Sequence, residues 1–232
     1  MLPIRDDQPR YSTPWVNYFL IGMNLVIYLF EASLDARSLD SLVRQFGVVP
    51  ADLSAFLSGS PAHPLVAIAL PYFTSLFLHG SWMHVIGNMW FLYIFGDNVE
   101  DYLGHFKYLV FYLLTGVLAM GTNVAMNLHS AAPAVGASGA IAGVLGAYFV
   151  LYPRARVLTW FFVFVLWVPA WVILGYWFVL NFLSGTATSL AVQGGRNMGG
   201  VAFWAHVGGF ISGALLVKVF GERQRRHPYA FQ

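Results

Sequence analysis

The 232-residue chain has no cysteine. A disulfide scaffold, a thiolate metal site and a cysteine nucleophile are therefore excluded. Charge is scarce too: Asp, Glu, Lys and Arg make up 9% of the residues, against roughly 25% in a soluble domain. That is too little to cover a water-facing surface, so a soluble enzyme, a disordered tail and a nucleic-acid binder are ruled out. The formal net charge of +2 is too small to imply a polyanionic partner. No fixed-period repeat or low-complexity segment is visible, and the two halves are not inverted copies, which weakens a transporter reading. What the chain does hold is apolar: 58% hydrophobic and 17% aromatic residues, with a mean hydropathy of +0.65. This is the composition of a polytopic membrane protein with the lipid bilayer as its solvent. Met1 to Pro14 is polar, and the apolar run after it is long enough to span, so no cleavable signal peptide is expected.

A span needs roughly 20 apolar residues to cross about 30 Å of hydrocarbon. Six windows qualify: Trp15 to Phe30, Trp82 to Leu103, Phe106 to Met126, a short one from Ser138 to Tyr152, Val157 to Leu183, and Val201 to Phe220. The expected fold is an all-α membrane protein of six transmembrane helices. It has a polar tail over 1–14, a membrane domain over 15–220 and a basic tail over 221–232. Within the domain lie a long first loop, 31–73, and a Gly-rich connection, 184–200. With the N-terminus inside, nine Lys and Arg residues fall on the inner side and three (Arg37, Arg44, Arg196) on the outer. That bias places both termini in the cytoplasm. Trp15, Trp82, Trp160 and Trp177 fall near span ends and read as lipid-interface anchors.

Polar groups inside a span are costly and mark function. No span carries a carboxylate at its centre. Ser138 opens the fourth window in Gly136-Ala137-Ser138-Gly139, His206 lies in the sixth, and His84 and Asn88 stack four apart in the second. Ser138, Ala142 and Gly146 form one stripe of small residues, and Gly209 and Gly213 another beside His206. Such stripes let membrane helices approach closely. If these two pack together, Ser138 Oγ meets the His206 imidazole, the arrangement in which a base activates a weak hydroxyl nucleophile. The Ser138 backbone N–H at a helix N-terminus, with the Asn88 and His84 side chains, would then bind an oxyanion. With no carboxylate at hand, the expectation is a Ser–His dyad whose histidine is oriented by packing or by a backbone carbonyl. Zinc is not expected, because there is no His-Glu-x-x-His and the histidines lack co-ligands. His79 reads as orienting the first loop and Glu100 as pinning the inner ends of helices. His63, His105, His129 and His227 read as solvated.

These pieces resemble the rhomboid family of intramembrane serine proteases. Phe77-Leu78-His79-Gly80, His84 with Asn88, Phe95-Gly96-Asp97-Asn98-Val99-Glu100, Gly136-Ala137-Ser138-Gly139-Ala140 and Ala205-His206-Val207-Gly208-Gly209 occur in family order between Thr74 and Leu216. The resemblance implies a serine endopeptidase with Ser138 as nucleophile and His206 as general base, placed below the outer membrane surface in a water-filled cavity. It also implies oxyanion binding by His84, Asn88 and the Ser138 N–H. By resemblance the substrates are transmembrane proteins cut near the outer face, with a small residue before the cut and helix-breaking residues after it. No cofactor or metal is needed. The connection over 194–200 would cap the site, with Met198 as its plug. Two departures stand out. The first loop lacks a Trp-Arg pair, and Ala142 stands where some members stack an aromatic on the histidine. The rival reading is an inactive relative that binds membrane helices. The expected location is a prokaryotic inner membrane.

Overall fold

A computed structural model describes residues 1–59, 64–193 and 201–221. It is mostly helical, with one small sheet at one end. A strand, β1 (Leu2–Asp6), precedes the long helix α1 (Trp15–Ser33). The first loop then folds into four short helices, α2 (Ala36–Phe46), α3 (Pro50–Leu57), α4 (Leu65–Ala69) and α5 (Pro71–Thr74), and a 3₁₀ turn over Ser75–Phe77. The remaining helices are α6 (Trp82–Leu103), α7 (His105–Met126), α8 (Ser138–Leu151), α9 (Ala170–Gln193) and α10 (Phe203–Phe220), with strands β2 (Arg156–Phe161) and β3 (Phe164–Pro169) between α8 and α9.

Among the described residues, α1, α7, α9 and α10 are long and apolar enough to cross a membrane. The pair Leu65–Phe77 and Trp82–Leu103, bent by 78°, makes a fifth candidate. Helix α8 has 14 residues, about 21 Å of axial rise, less than the roughly 30 Å hydrocarbon core. It is apolar on every side and buried from Gly139 to Tyr148, as a helix at the centre of a bundle must be. Its neighbours α6, α7, α9 and α10 turn large apolar side chains such as Tyr93, Leu118, Leu180 and Leu215 outward. That much exposed apolar surface fits lipid and not water.

Glycines set the closest approach. A Cβ on Gly213 would collide with the Gly143 backbone, one on Gly209 with the Gly139 carbonyl, and one on Gly146 with the Phe210 carbonyl. The α8 and α10 backbones therefore touch. The expected stripe of Ser138, Ala142 and Gly146 faces α10, meeting His206, Gly209 and Phe210 in turn, and Gly139 and Gly143 widen the contact toward Gly209 and Gly213. Gly104, at φ +80°, ends α6 and caps α7 in a single residue, a conformation that glycine adopts without steric cost.

The fifth expected span needs correction. Helix α9 starts at Ala170, not near Val157, and the preceding 14 residues form the β2–β3 hairpin with Phe161 paired to Phe164. Val157 and Thr159 are buried while Trp160 and Phe161 face out, a strand-like alternation early in the run. Pro169 cannot donate a hydrogen bond inside a helix, and here it ends β3. Strand β1 pairs antiparallel with β2 to complete the order β1-β2-β3. At its far end α9 continues through Gln193, so residues 184–193 of the expected connection are helical.

At this sheet end carboxylates close the helix termini. Glu100 accepts the Val16 and Asn17 backbone N–H groups at 3.0 and 2.7 Å, and it meets His105 Nδ1. His105 is thus tied to the bundle and not simply solvated. Asp101 accepts from the Tyr11 N–H and the Ser12 hydroxyl. Tyr148 donates its hydroxyl to Asp6. Burial pushes the Asp6 carboxyl up to about 6, a rise that the Tyr148 hydrogen bond partly opposes.

Candidate active site

The candidate site lies at the opposite end of the bundle from the sheet. The Ser81 hydroxyl caps α6 by accepting the His84 N–H at 3.2 Å, which fixes where His84 and Asn88 leave the helix. Gly136 donates its N–H to the Ser75 carbonyl at 2.8 Å and holds φ +131°, a region that side-chain-bearing residues rarely enter. A Cβ there would stand 2.8 Å from the His84 ring and 3.5 Å from Ser138 Oγ. The glycine is required twice, once for its conformation and once because the imidazole and the hydroxyl flank it.

Ser138 is the first residue of α8, after Ala137, and among the described residues no side chain caps that terminus. The first-turn N–H groups of a helix have no partner within it and carry partial positive charge. Ser138 Oγ lies 2.8 Å from His206 Nε2. The glycine contacts between α8 and α10 set this distance, since the Gly209 and Gly139 pair lies within a turn of both residues. His206 is 9% exposed and Ser138 is half-buried.

The other ring nitrogen, His206 Nδ1, is 2.6 Å from Asn181 Oδ1. Asn181 Nδ2 donates to the Trp177 carbonyl at 2.8 Å. The Trp177 ring lies 5.5 Å from the imidazole, tilted by 36°. Trp177 thus puts an aromatic ring beside the histidine, which Ala142 cannot do, and is no simple lipid anchor. The group that meets the histidine's far nitrogen is a side-chain amide, where packing or a backbone carbonyl was expected. Both residues were missed in the sequence, although a signal existed: Asn181 is a polar residue inside an apolar span, and Trp177 stands four positions before it.

Asn88 Nδ2 donates to His79 Nε2 at 3.0 Å, and the His79 and His84 rings meet edge-on at 5.0 Å. The His79 backbone N–H in turn donates to Glu31, at the end of α1. Ser138, His206, His84 and Gly136 therefore come together directly, and Asn88 joins through His79. Glu100 sits at the other end of the molecule. Gly139, Gly209 and Gly213 lie in the α8–α10 contact. Met198 lies outside the described residues, as do His63 and His227; His129 is exposed. Among the described residues, no group of three or more His, Asp or Glu side chains is gathered as a metal-ligand set.

The chain is 30% identical over 206 residues to Rhomboid-like protein 11, chloroplastic, of Arabidopsis thaliana, covering 86% of this chain and 63% of that protein. It is 31% identical over 161 residues to Rhomboid protein 1, mitochondrial, of Saccharomyces cerevisiae, covering 66% and 43%. It is 29% identical over 103 residues to the human Presenilin-associated rhomboid-like protein, mitochondrial, covering 44% and 27%. The chain thus spans less than two thirds of the length of each of these relatives. Their organellar names tell against the expectation of a prokaryotic inner membrane. Residues 69–223 match the Rhomboid domain, and the chain belongs to the rhomboid family.

Proposed function

We propose that the protein is an intramembrane serine endopeptidase that cuts transmembrane helices of other membrane proteins. The observation that carries this reading is the 2.8 Å contact between Ser138 Oγ and His206 Nε2 beside a helix N-terminus that no side chain caps among the described residues. The positive-inside bias supports placing the sheet end in the cytoplasm and the serine end toward the outer face. Because α8 is too short to cross the hydrocarbon, its N-terminus sits below the outer surface. The partial exposure of Ser138 supports access of water from that face.

A substrate helix hides its carbonyls in its own hydrogen bonds and must unwind locally before attack. The Ser138 oxygen then adds to the scissile carbonyl while His206 Nε2 takes the hydroxyl proton. The oxyanion is held by the Ser138 backbone N–H, by the Asn88 amide hydrogen not committed to His79, and by His84. Collapse of the intermediate breaks the C–N bond as the histidine protonates the leaving amine. Water, deprotonated by the same base, hydrolyses the acyl-enzyme.

The test is cleavage of a single-span substrate in detergent by wild type, Ser138→Ala and His206→Ala, each checked for an unchanged melting profile. Wild type cleaves, and either substitution lowers turnover by roughly 10³-fold or more. Cleavage that persists in Ser138→Ala would reject the reading. A folded wild type that binds the substrate helix without cutting it would favour the rival role of helix binder.

A further inference from the structure

A neutral imidazole carries one ring proton, so it acts as a base toward Ser138 only if that proton sits on the far nitrogen. We propose that Asn181 is the positioning residue that keeps it there. The inference rests on the dyad reading above and adds a third member from a different helix.

The amide orientation follows from its surroundings. Its Nδ2 donates to the Trp177 carbonyl one turn back, at 2.8 Å, where an amide oxygen would face another oxygen. Oδ1 is therefore the atom 2.6 Å from His206 Nδ1. An oxygen acceptor at that distance requires a proton on Nδ1. Nε2 is then the bare nitrogen, and at 2.8 Å the Ser138 hydroxyl must be the donor. One backbone carbonyl of α9 thus sets the amide, the amide sets the tautomer, and the tautomer leaves the serine facing a base. The Trp177 ring, at 5.5 Å, restricts rotation of the imidazole about its own axis. Both constraints come from one turn of α9.

The choice of residue follows from the medium. Asn181 is 8% exposed, within a helix apolar enough to span a bilayer. A carboxylate there would be a buried charge at membrane depth, which is costly unless it is fully paired. An amide supplies the same acceptor geometry without charge. It holds the neutral tautomer and does less for the imidazolium that forms during attack.

The experiment combines two variants with spectroscopy. Asn181→Leu removes the acceptor at nearly constant volume, and Asn181→Asp keeps an acceptor oxygen. Ser138→Ala serves as the reference for the dyad itself. Nitrogen NMR of ¹⁵N-histidine-labelled protein reports which ring nitrogen of His206 carries the proton. The wild type is expected to show the Nδ1–H tautomer. Asn181→Leu is expected to lose that single signature and lower kcat by roughly 10- to 100-fold, with KM and melting temperature little changed. Asn181→Asp recovers part of kcat and alters its pH profile, because a titratable group now touches the base. A wild-type His206 protonated on Nε2, or an Asn181→Leu enzyme with wild-type kcat, overturns the inference while the dyad survives. If Ser138→Ala still cleaves, the dyad reading falls first. Should Asn181→Leu fail to fold, the wild-type tautomer and the Asp variant decide.

Discussion

The two ends of the bundle handle polar groups in opposite ways. At the sheet end Glu100, Asp101 and Asp6 are each satisfied by backbone or side-chain donors, and the N-terminus of α1 is closed by the Glu100 carboxylate. At the serine end α8 begins, among the described residues, without a side-chain cap. Its first N–H groups have no partner within the helix, and Ser138 beside them is half-buried. A helix terminus closed by a carboxylate is stable and chemically silent, whereas an uncapped one beside a nucleophile is poised for a developing negative charge. The same element of structure therefore serves as an anchor at one end and as part of a candidate reaction centre at the other.

Substitutions should separate the two roles. The largest effect is expected from Gly213→Ala, whose new methyl would collide with the Gly143 backbone. Pushing α10 away from α8 moves His206 from Ser138, and a displacement of about 1 Å costs on the order of 100-fold in rate. Overpacking adds about 1–3 kcal/mol of destabilisation. Gly22→Ala, with nothing within 4 Å of the added carbon, should leave both turnover and melting unchanged. If the two alanines behave alike, close approach of α8 and α10 does not set the site.

An effect of similar size on turnover, without the loss of stability, is expected at Asn88. Asn88→Ala should lower kcat by roughly 100-fold through loss of one oxyanion donor, with the protein still folded by circular dichroism. An unchanged kcat would remove Asn88 from the oxyanion site and leave it as a brace for His79.

The smallest effect on turnover is expected from the sheet end. Glu100→Gln weakens charge-assisted bonds to two backbone donors and should cost about 2 kcal/mol of stability, read as a lower melting temperature in detergent. Cleavage per folded molecule should stay near that of wild type. A selective loss of turnover would mean that the two ends are coupled and the contrast between them too simple.

The contrast also marks where the sequence was readable. Ser138, His206 and the glycines between their helices announced themselves because polar and small residues are conspicuous in apolar spans. The hairpin over 156–169 did not. Its turn, Phe162-Val163, has none of the glycine or asparagine that signals a hairpin, and Phe162 takes φ +54° without them. Its apolar strands merge with the helix that follows. The polar face of α1 was hidden for a similar reason. Asn17, Asn24 and Glu31 recur every seven residues and all are buried, but each looks isolated inside a hydrophobic run. The pairing of Asn181 and Trp177 with His206 needed the fold, because nothing local reveals that α9 lays an amide against the histidine of α10.

The most direct measurement of the central claim is the site and rate of labelling by a fluorophosphonate, which bonds covalently to an activated serine. Wild-type protein should be labelled at Ser138 alone, and His206→Ala should lose that labelling while keeping its melting profile. Equal labelling in His206→Ala, or a label on another residue, would contradict the account.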